Sequence, residues 1–466
     1  MQDAWTGADA TALRKALGIP QKEFARLLGI GESTVKKYAA RKDTIVLPDL
    51  YADIMETALA RATPDQRARY LASKQARVEI VLPDSDDDLR DSDVQQWEPG
   101  VWTADCAAIA HDLTRKDLIV DRRQATRALL GVIVGANLLE PLERWLSSPA
   151  AKAETAGRAT GVGVQEVEQL ETAARVFRDW DDQYGGGLRR KAVIGQLDEV
   201  TGLLDEQHPP QLRARLTVVL AQLAETAATM SWDCGQQAVA QRYYVLAVRA
   251  AKAAGDSAFA ANALAGMARQ LLCLGRASDA LELVRLAQDV AGPGAAPAVR
   301  AMLDTREAWA YANLARPTAF QRTSDRGYET LAAVVVGESP HWIGYFDSAE
   351  FAGTTGGRLL EMAQRSPEFA APAAEHIGQA IALRTPNRLR SSALDQLGIA
   401  EARLIQGEVE QACQLGTAAL STVERTASDR VRVKVGEIFA RTSQLADVTA
   451  VAELRDRMQP FLAAPV

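Results

Sequence analysis

A triplet of small, large and small residues recurs along the second half of the chain and restricts it to one kind of architecture. Ala240-x3-Tyr244-x2-Ala247 returns as Ala280-x3-Val284-x2-Ala287, Ala373-x3-Ile377-x2-Ala380 and, with glycine in the centre, Ala412-x3-Gly416-x2-Ala419. Residues four and seven apart share one side of an α-helix, so each triplet lets a paired helix pack closely around its central residue. The first two copies begin 40 residues apart and the last two 39. The interval of 93 between the middle pair leaves room for two more units, one of them around Trp309 and Tyr311. LGRASDALELVRLA (274–287) and QGEVEQACQLGTAAL (406–420) each read as helix, glycine-containing turn, helix. Units of this kind bury their apolar faces only by stacking on one another, and the stack presents a concave binding surface. The alternative is an irregular all-helical bundle.

Residues 13–41, LRKALGIPQKEFARLLGIGESTVKKYAAR, carry a second pattern. A first amphipathic segment with Leu13 and Leu17 ends at Gly18, and Pro20 opens a second helix, where its missing N–H is no loss. That helix places Phe24, Ala25 and Leu28 on one face, and Gly29 supplies the turn. A third helix, Glu32 to Arg41, turns Val35 and Tyr38 inward and Glu32, Ser33, Lys36 and Lys37 outward. Two short helices around a glycine turn are a helix-turn-helix, whose second helix enters a DNA major groove. Between Arg14 and Lys42 stand eight basic and two acidic residues, in a chain whose net charge is −7. Such local positive charge is the footprint of phosphate contact with double-stranded DNA. A generic basic helical hairpin is the plainer alternative.

At 466 residues the chain is long enough for two or three domains, and its 47% hydrophobic content supports an ample core. Leu47–Ala62 reads as a further amphipathic helix with Leu50, Ile54 and Leu59 in line, and Pro64–Ala76 as a polar one. DSDDDLRDSD (84–93) is self-repelling and reads as a linker. The apolar run Ala128–Leu139 is too short to span a bilayer and reads as a buried helix. The boundaries expected are a helix-turn-helix domain (1–76), an acidic linker (77–104), a helical connecting region (105–205) and a helical repeat domain (206–466). The four cysteines are scattered, which fits a reducing cytoplasm rather than a disulfide framework or a zinc site. DDQYGGGLRRK (181–191) lacks phosphate-loop spacing, and GVGVQE (161–166) and GESPHW (337–342) lack those of a dinucleotide site and a nucleophile elbow. The four histidines are isolated, so neither an enzyme, a cofactor nor a metal is called for.

IPQKEFARLLGIGESTVKKY (19–38) resembles the Cro-type, phage-repressor-like helix-turn-helix family. Gln21 matches the glutamine that opens its second helix, Phe24-Ala25 the apolar-alanine pair, and Gly29-Ile30 the turn. Gly31 departs from the usual serine, which leaves Ser33 or Thr34 as the cap, and Ala39 replaces a frequent acidic residue. The repeats resemble tetratricopeptide units, with a period somewhat longer than the usual 34 or so. The order of parts, including DWDDQYGGG and SWDCGQQAVAQRYYVLAVRAAKAAGD, resembles actinobacterial transcription regulators that join such a reader to a tetratricopeptide-like domain. It is also similar to bacterial peptide-pheromone sensors.

The fold expected is therefore all-α: an N-terminal Cro-type helix-turn-helix bundle followed by a tetratricopeptide-like α-solenoid. The resemblance implies DNA contacts from Gln21, Lys22, Gly31, Glu32, Ser33, Thr34, Lys36, Lys37 and Arg41. It also puts Asn262 and Arg269 on the concave face, one i to i+7 step apart, with Arg306 and Asn313 repeating the relation on the next unit. Those four residues would receive a peptide, a small molecule or a protein partner. A cytoplasmic homodimer formed largely outside residues 1–62 is expected, because one reader alone covers too little DNA. The competing reading is a non-enzymatic interaction scaffold whose helix-turn-helix docks protein.

Overall fold

The computed structural model describes residues 6–17, 19–28, 35, 54–55, 59, 66, 70, 105–119, 132–147, 162–184, 189–335, 337–426 and 428–462. Among them are eighteen α-helices and no strand, so the all-α expectation holds. The chain divides into two compact units, Met1–Val94 and Gln95–Val466.

In the first unit, α1 is Gly7–Leu17 and α2 is Gln21–Leu28. Thr6 and Asp9 form a reciprocal cap on α1, with Oγ1 accepting from the Asp9 N–H at 3.2 Å and the carboxylate accepting from the Thr6 N–H at 3.0 Å. Arg14 donates to the Ile19 carbonyl at 3.0 Å, securing the turn into α2. Leu13, Phe24, Ala25 and Val35 are buried together, as the spacing requires, with Ile54 and Leu59 packed against them. Met55 and Tyr70 complete this small core.

The second unit opens with α3 (Cys106–Ile119), α4 (Ala136–Ser147), α5 (Val164–Tyr184) and α6 (Arg190–Leu204). Six helix pairs follow: α7 (Pro210–Asp233) with α8 (Gln237–Ala253), α9 (Ser257–Cys273) with α10 (Ala277–Ala291), and α11 (Pro297–Asn313) with α12 (Pro317–Ala332). The remaining pairs are α13 (Ser348–Ala363) with α14 (Ala370–Leu383), α15 (Leu389–Ile405) with α16 (Val409–Val423), and α17 (Asp429–Arg441) with α18 (Thr449–Leu462). Each pair packs internally, and the first helices α7, α9, α11, α13, α15 and α17 also pack on one another in sequence, making an inner row. The alanine triplets all lie on second helices, where their alanines are fully buried. Gly235, Gly255 and Gly275 close successive turns at φ between +73° and +76°, and Ala315 takes the same left-handed role at φ +54°.

Two expectations are corrected. The interval between the triplets at 280 and 373 holds one unit, not two. Its second helix carries a degraded triplet, Phe320-x3-Ser324-x2-Gly327, buried like the others. The surplus length is the connection between α12 and α13, whose Trp342 packs edge-on against Phe259 of α9 at 5.3 Å. The run Ala128–Leu139 is not one helix either. Residues 132–134 are non-helical, and Gln241 receives the Ile133 N–H at 2.8 Å and donates to its carbonyl at 2.7 Å, replacing helical hydrogen bonds. The helix begins at Ala136; residues 128–131 lie outside the described residues, as does the acidic block 84–93. No described helix is long and apolar enough to cross a membrane.

Candidate ligand cavity

The inner row curls back on itself. Four neighbour spacings of 8–10 Å would put α7 and α15 roughly 35 Å apart in a straight stack. Instead, Asp233 at the end of α7 pairs with Arg390 of α15 at 3.1 Å and with Arg430 of α17 at 2.9 Å. Helix α5 packs against both α7 and α15, and the α12–α13 connection contributes Tyr345 from within. The partly open cavity measures about 110 Å³ and is lined by α5, by every first helix from α7 to α17, and by Tyr345.

Charge dominates its wall. Six arginines face four carboxylates, and each carboxylate except Asp181 is engaged by an arginine. Arg178 donates to Glu225 at 2.6 Å, Arg388 to Asp182 at 3.2 Å, and Arg384, outside the wall, to Glu350 at 2.6 Å. Arg390 and Arg430 are held by Asp233. Arg269 and Arg306 have no carboxylate partner among the described residues. Arg269 lies over Trp232 at 4.6 Å, as does Arg430 at 4.8 Å, and its Nε has no acceptor among the described residues. Arg306 is 5% exposed, and burial, with the like charge of Arg269 nearby, pulls its pKa below the ordinary value. Asn262, also 5% exposed, lines the cavity with Nδ2 unpaired among the described residues.

Asp233 and Asp181 sit beside the same arginines with opposite results. Burial opposes ionisation of Asp233, but Arg430 and Arg390 outweigh it and hold the carboxyl below the usual range. Burial pushes Asp181 up to about 7, with Arg390 opposing and the Asp233 and Asp182 charges reinforcing. A carboxyl raised in the folded state keeps a proton that the unfolded chain has lost between pH 4 and 7. Its contribution to stability therefore falls as pH rises through that window and is flat above it. Asp181→Asn is expected to remove about 3 kcal/mol of that decline between pH 5 and 8. Parallel urea titrations of parent and variant at the two pH values would check it; equal slopes would refute it.

Of the four residues expected in the groove, Asn262, Arg269 and Arg306 line the cavity and Asn313 does not. Asn313 is the last residue of α11, where its carbonyl accepts from Arg365 at 3.5 Å. The reason is register. Helices α9 and α11 begin 40 residues apart, so Met302 and Trp309 are the counterparts of Asn262 and Arg269, and Arg306 matches Gly266. Met302 and Gly266 do line the cavity. Sequence reasoning missed the wall supplied by α5, together with Trp232 and Asp233 in the SWDC phrase and Arg390 and Arg430 opposite them. In the first unit, Gln21 is half-buried and Lys22 exposed on α2. Gly31, Glu32, Ser33, Thr34, Lys36, Lys37 and Arg41 lie outside the described residues. No metal-holding group of histidine, cysteine and carboxylate occurs among the described residues. No family model, curated protein or solved structure matches the chain.

Proposed function

We propose that the chain is a sequence-specific, DNA-binding transcriptional regulator of the actinobacterial helix-turn-helix and tetratricopeptide-like type, acting as a cytoplasmic homodimer. Its repeat unit senses a ligand or partner. The observation that carries the sensing role is the cavity wall, which a buried amide and two guanidinium groups from consecutive repeats line without acceptors among the described residues. Leaving such groups unpaired is costly, and a bound molecule relieves the cost. The reading of residues 13–41 supports the DNA-binding role through its glycine turn, its apolar spacing and its eight basic residues in an acidic chain. Lys36 suits guanine acceptors, Ser33 or Thr34 suits base edges or phosphates, and Gln21 suits a phosphate or the reading helix. A ligand changes DNA affinity only as far as it prefers one arrangement of the two readers over another.

The test is fluorescence anisotropy with genomic fragments that include the gene's own promoter, over a salt series. The parent is expected to prefer one fragment and to lose affinity steeply with salt. Lys36→Ala is expected to cost about 1–3 kcal/mol at that site and to blur its preference, and adding Lys37→Ala should flatten the salt slope further. Unchanged specific binding by the double variant would exclude this face as the reader. Absence of salt-dependent DNA binding by the parent would favour the protein-docking scaffold.

A further inference from the structure

We propose that the inner cavity is a receptor for a compact anionic group, a phosphate or a carboxylate carried by a small molecule, with Arg306, Arg269 and Asn262 as its donors. The proposal rests on the ligand-sensing reading above and specifies the chemistry of its ligand. Three observations on the same wall lead to it.

The first is charge. Glu225, Asp182 and Glu350 are each paired with another arginine at 2.6–3.2 Å, so Arg306 and Arg269 have no carboxylate in direct contact among the described residues and feel Glu350 and Asp233 only at longer range. Arg306 therefore feels the like charge of Arg269 on the same wall, with only Asp181 left without an arginine partner among the wall carboxylates. An anion between them would accept from two forked guanidinium groups, the geometry that suits phosphate and carboxylate oxygens.

The second is the donor set. Asn262 Nδ2 and Arg269 Nε are buried donors without acceptors among the described residues, and Arg306 is 5% exposed. Tyr345 brings a hydroxyl to the same wall. All of these can donate, and an oxyanion accepts several hydrogen bonds at once.

The third is size. The cavity is about 110 Å³, below the roughly 300–1,000 Å³ of pockets that enclose drug-sized ligands. Helix α5 and the α12–α13 connection occupy the space that an open repeat groove would offer to an extended chain. What remains fits an anionic group with a short attachment.

The experiment measures thermal melting of the full-length protein against millimolar inorganic phosphate, succinate, or sodium chloride at matched ionic strength. A saturable rise in Tm with phosphate alone supports the proposal with a tetrahedral anion, and a rise with succinate alone supports it with a carboxylate. Arg306→Met, which fills the space without charge, is expected to weaken the apparent affinity about 10- to 100-fold. Asn262→Ala provides a second, milder variant should Arg306→Met not fold, with an expected loss of about 5-fold. If neither anion exceeds chloride, or if the saturable rise survives unchanged in the folded variants, the proposal is overturned. Salt-dependent DNA binding by the same anion-free preparation tests the regulator reading separately. A flat anion response with intact DNA binding therefore rejects this inference alone.

Discussion

Replacing Asp233 by alanine is expected to destabilise the repeat unit by about 3–5 kcal/mol, the range for removing one partner of a buried ion pair. Its side chain is 2% exposed, and it is the shared partner of Arg390 at 3.1 Å and Arg430 at 2.9 Å. Without it, the buried Arg390 and the half-buried Arg430 lose their shared carboxylate. The loss concerns shape as well as stability. Asp233 ends α7, and its partners lie on α15 and α17, so this contact joins the start of the inner row to its end. Urea unfolding should give the energy, and hydrogen exchange should locate the early opening at α15 and α17 rather than α9 or α11. A loss below 1 kcal/mol, or opening that begins elsewhere, would be incompatible with Asp233 as the contact that closes the row.

The pairwise helical stack was legible because it follows from periodicity. Small residues seven apart on one helical side must meet a close neighbour, and the buried alanines of α8, α10, α14 and α16 do so. Closure of the stack was not legible, because it depends on charges that meet across long sequence separations. Arg390 and Asp233 are 157 residues apart, and Arg388 and Asp182 are 206 apart. Yet part of that signal is visible in composition. Between Leu216 and Asp233 the only charged residues are Glu225 and Asp233, isolated in an Ala- and Leu-rich helix that is buried from Val219 onward. Single charges in such a setting require partners, and both prove to be anchors of the cavity wall. The misplacement of Asn313 is of another kind. The 40-residue period already visible in the triplets points to Met302 and Trp309, whereas matching residue types four positions out of register selected Arg306 and Asn313.

The packing role of the triplets leads to opposite expectations for two adjacent glycines of α13. A Cβ on Gly356 would lie 2.6 Å from Ile377 Cγ1, 2.9 Å from the Ile377 amide nitrogen and 3.1 Å from the Ala373 carbonyl oxygen. Ala373 and Ile377 are the first two members of the triplet on α14, so Gly356 is the counterpart into which that triplet fits. Two of those contacts are backbone, and no rotamer change relieves them. A Cβ on Gly357 meets nothing within 4 Å. Alanine is the better helix former at both positions by about 1 kcal/mol. Gly357→Ala is therefore expected to stabilise by roughly that amount, while Gly356→Ala must force α13 and α14 apart and cost about 1–3 kcal/mol net. Because the two variants share composition and helix, the difference between their unfolding free energies isolates the interhelical contact. If both substitutions stabilised the protein equally, α13 and α14 would not pack at the distance that their glycine and alanines allow.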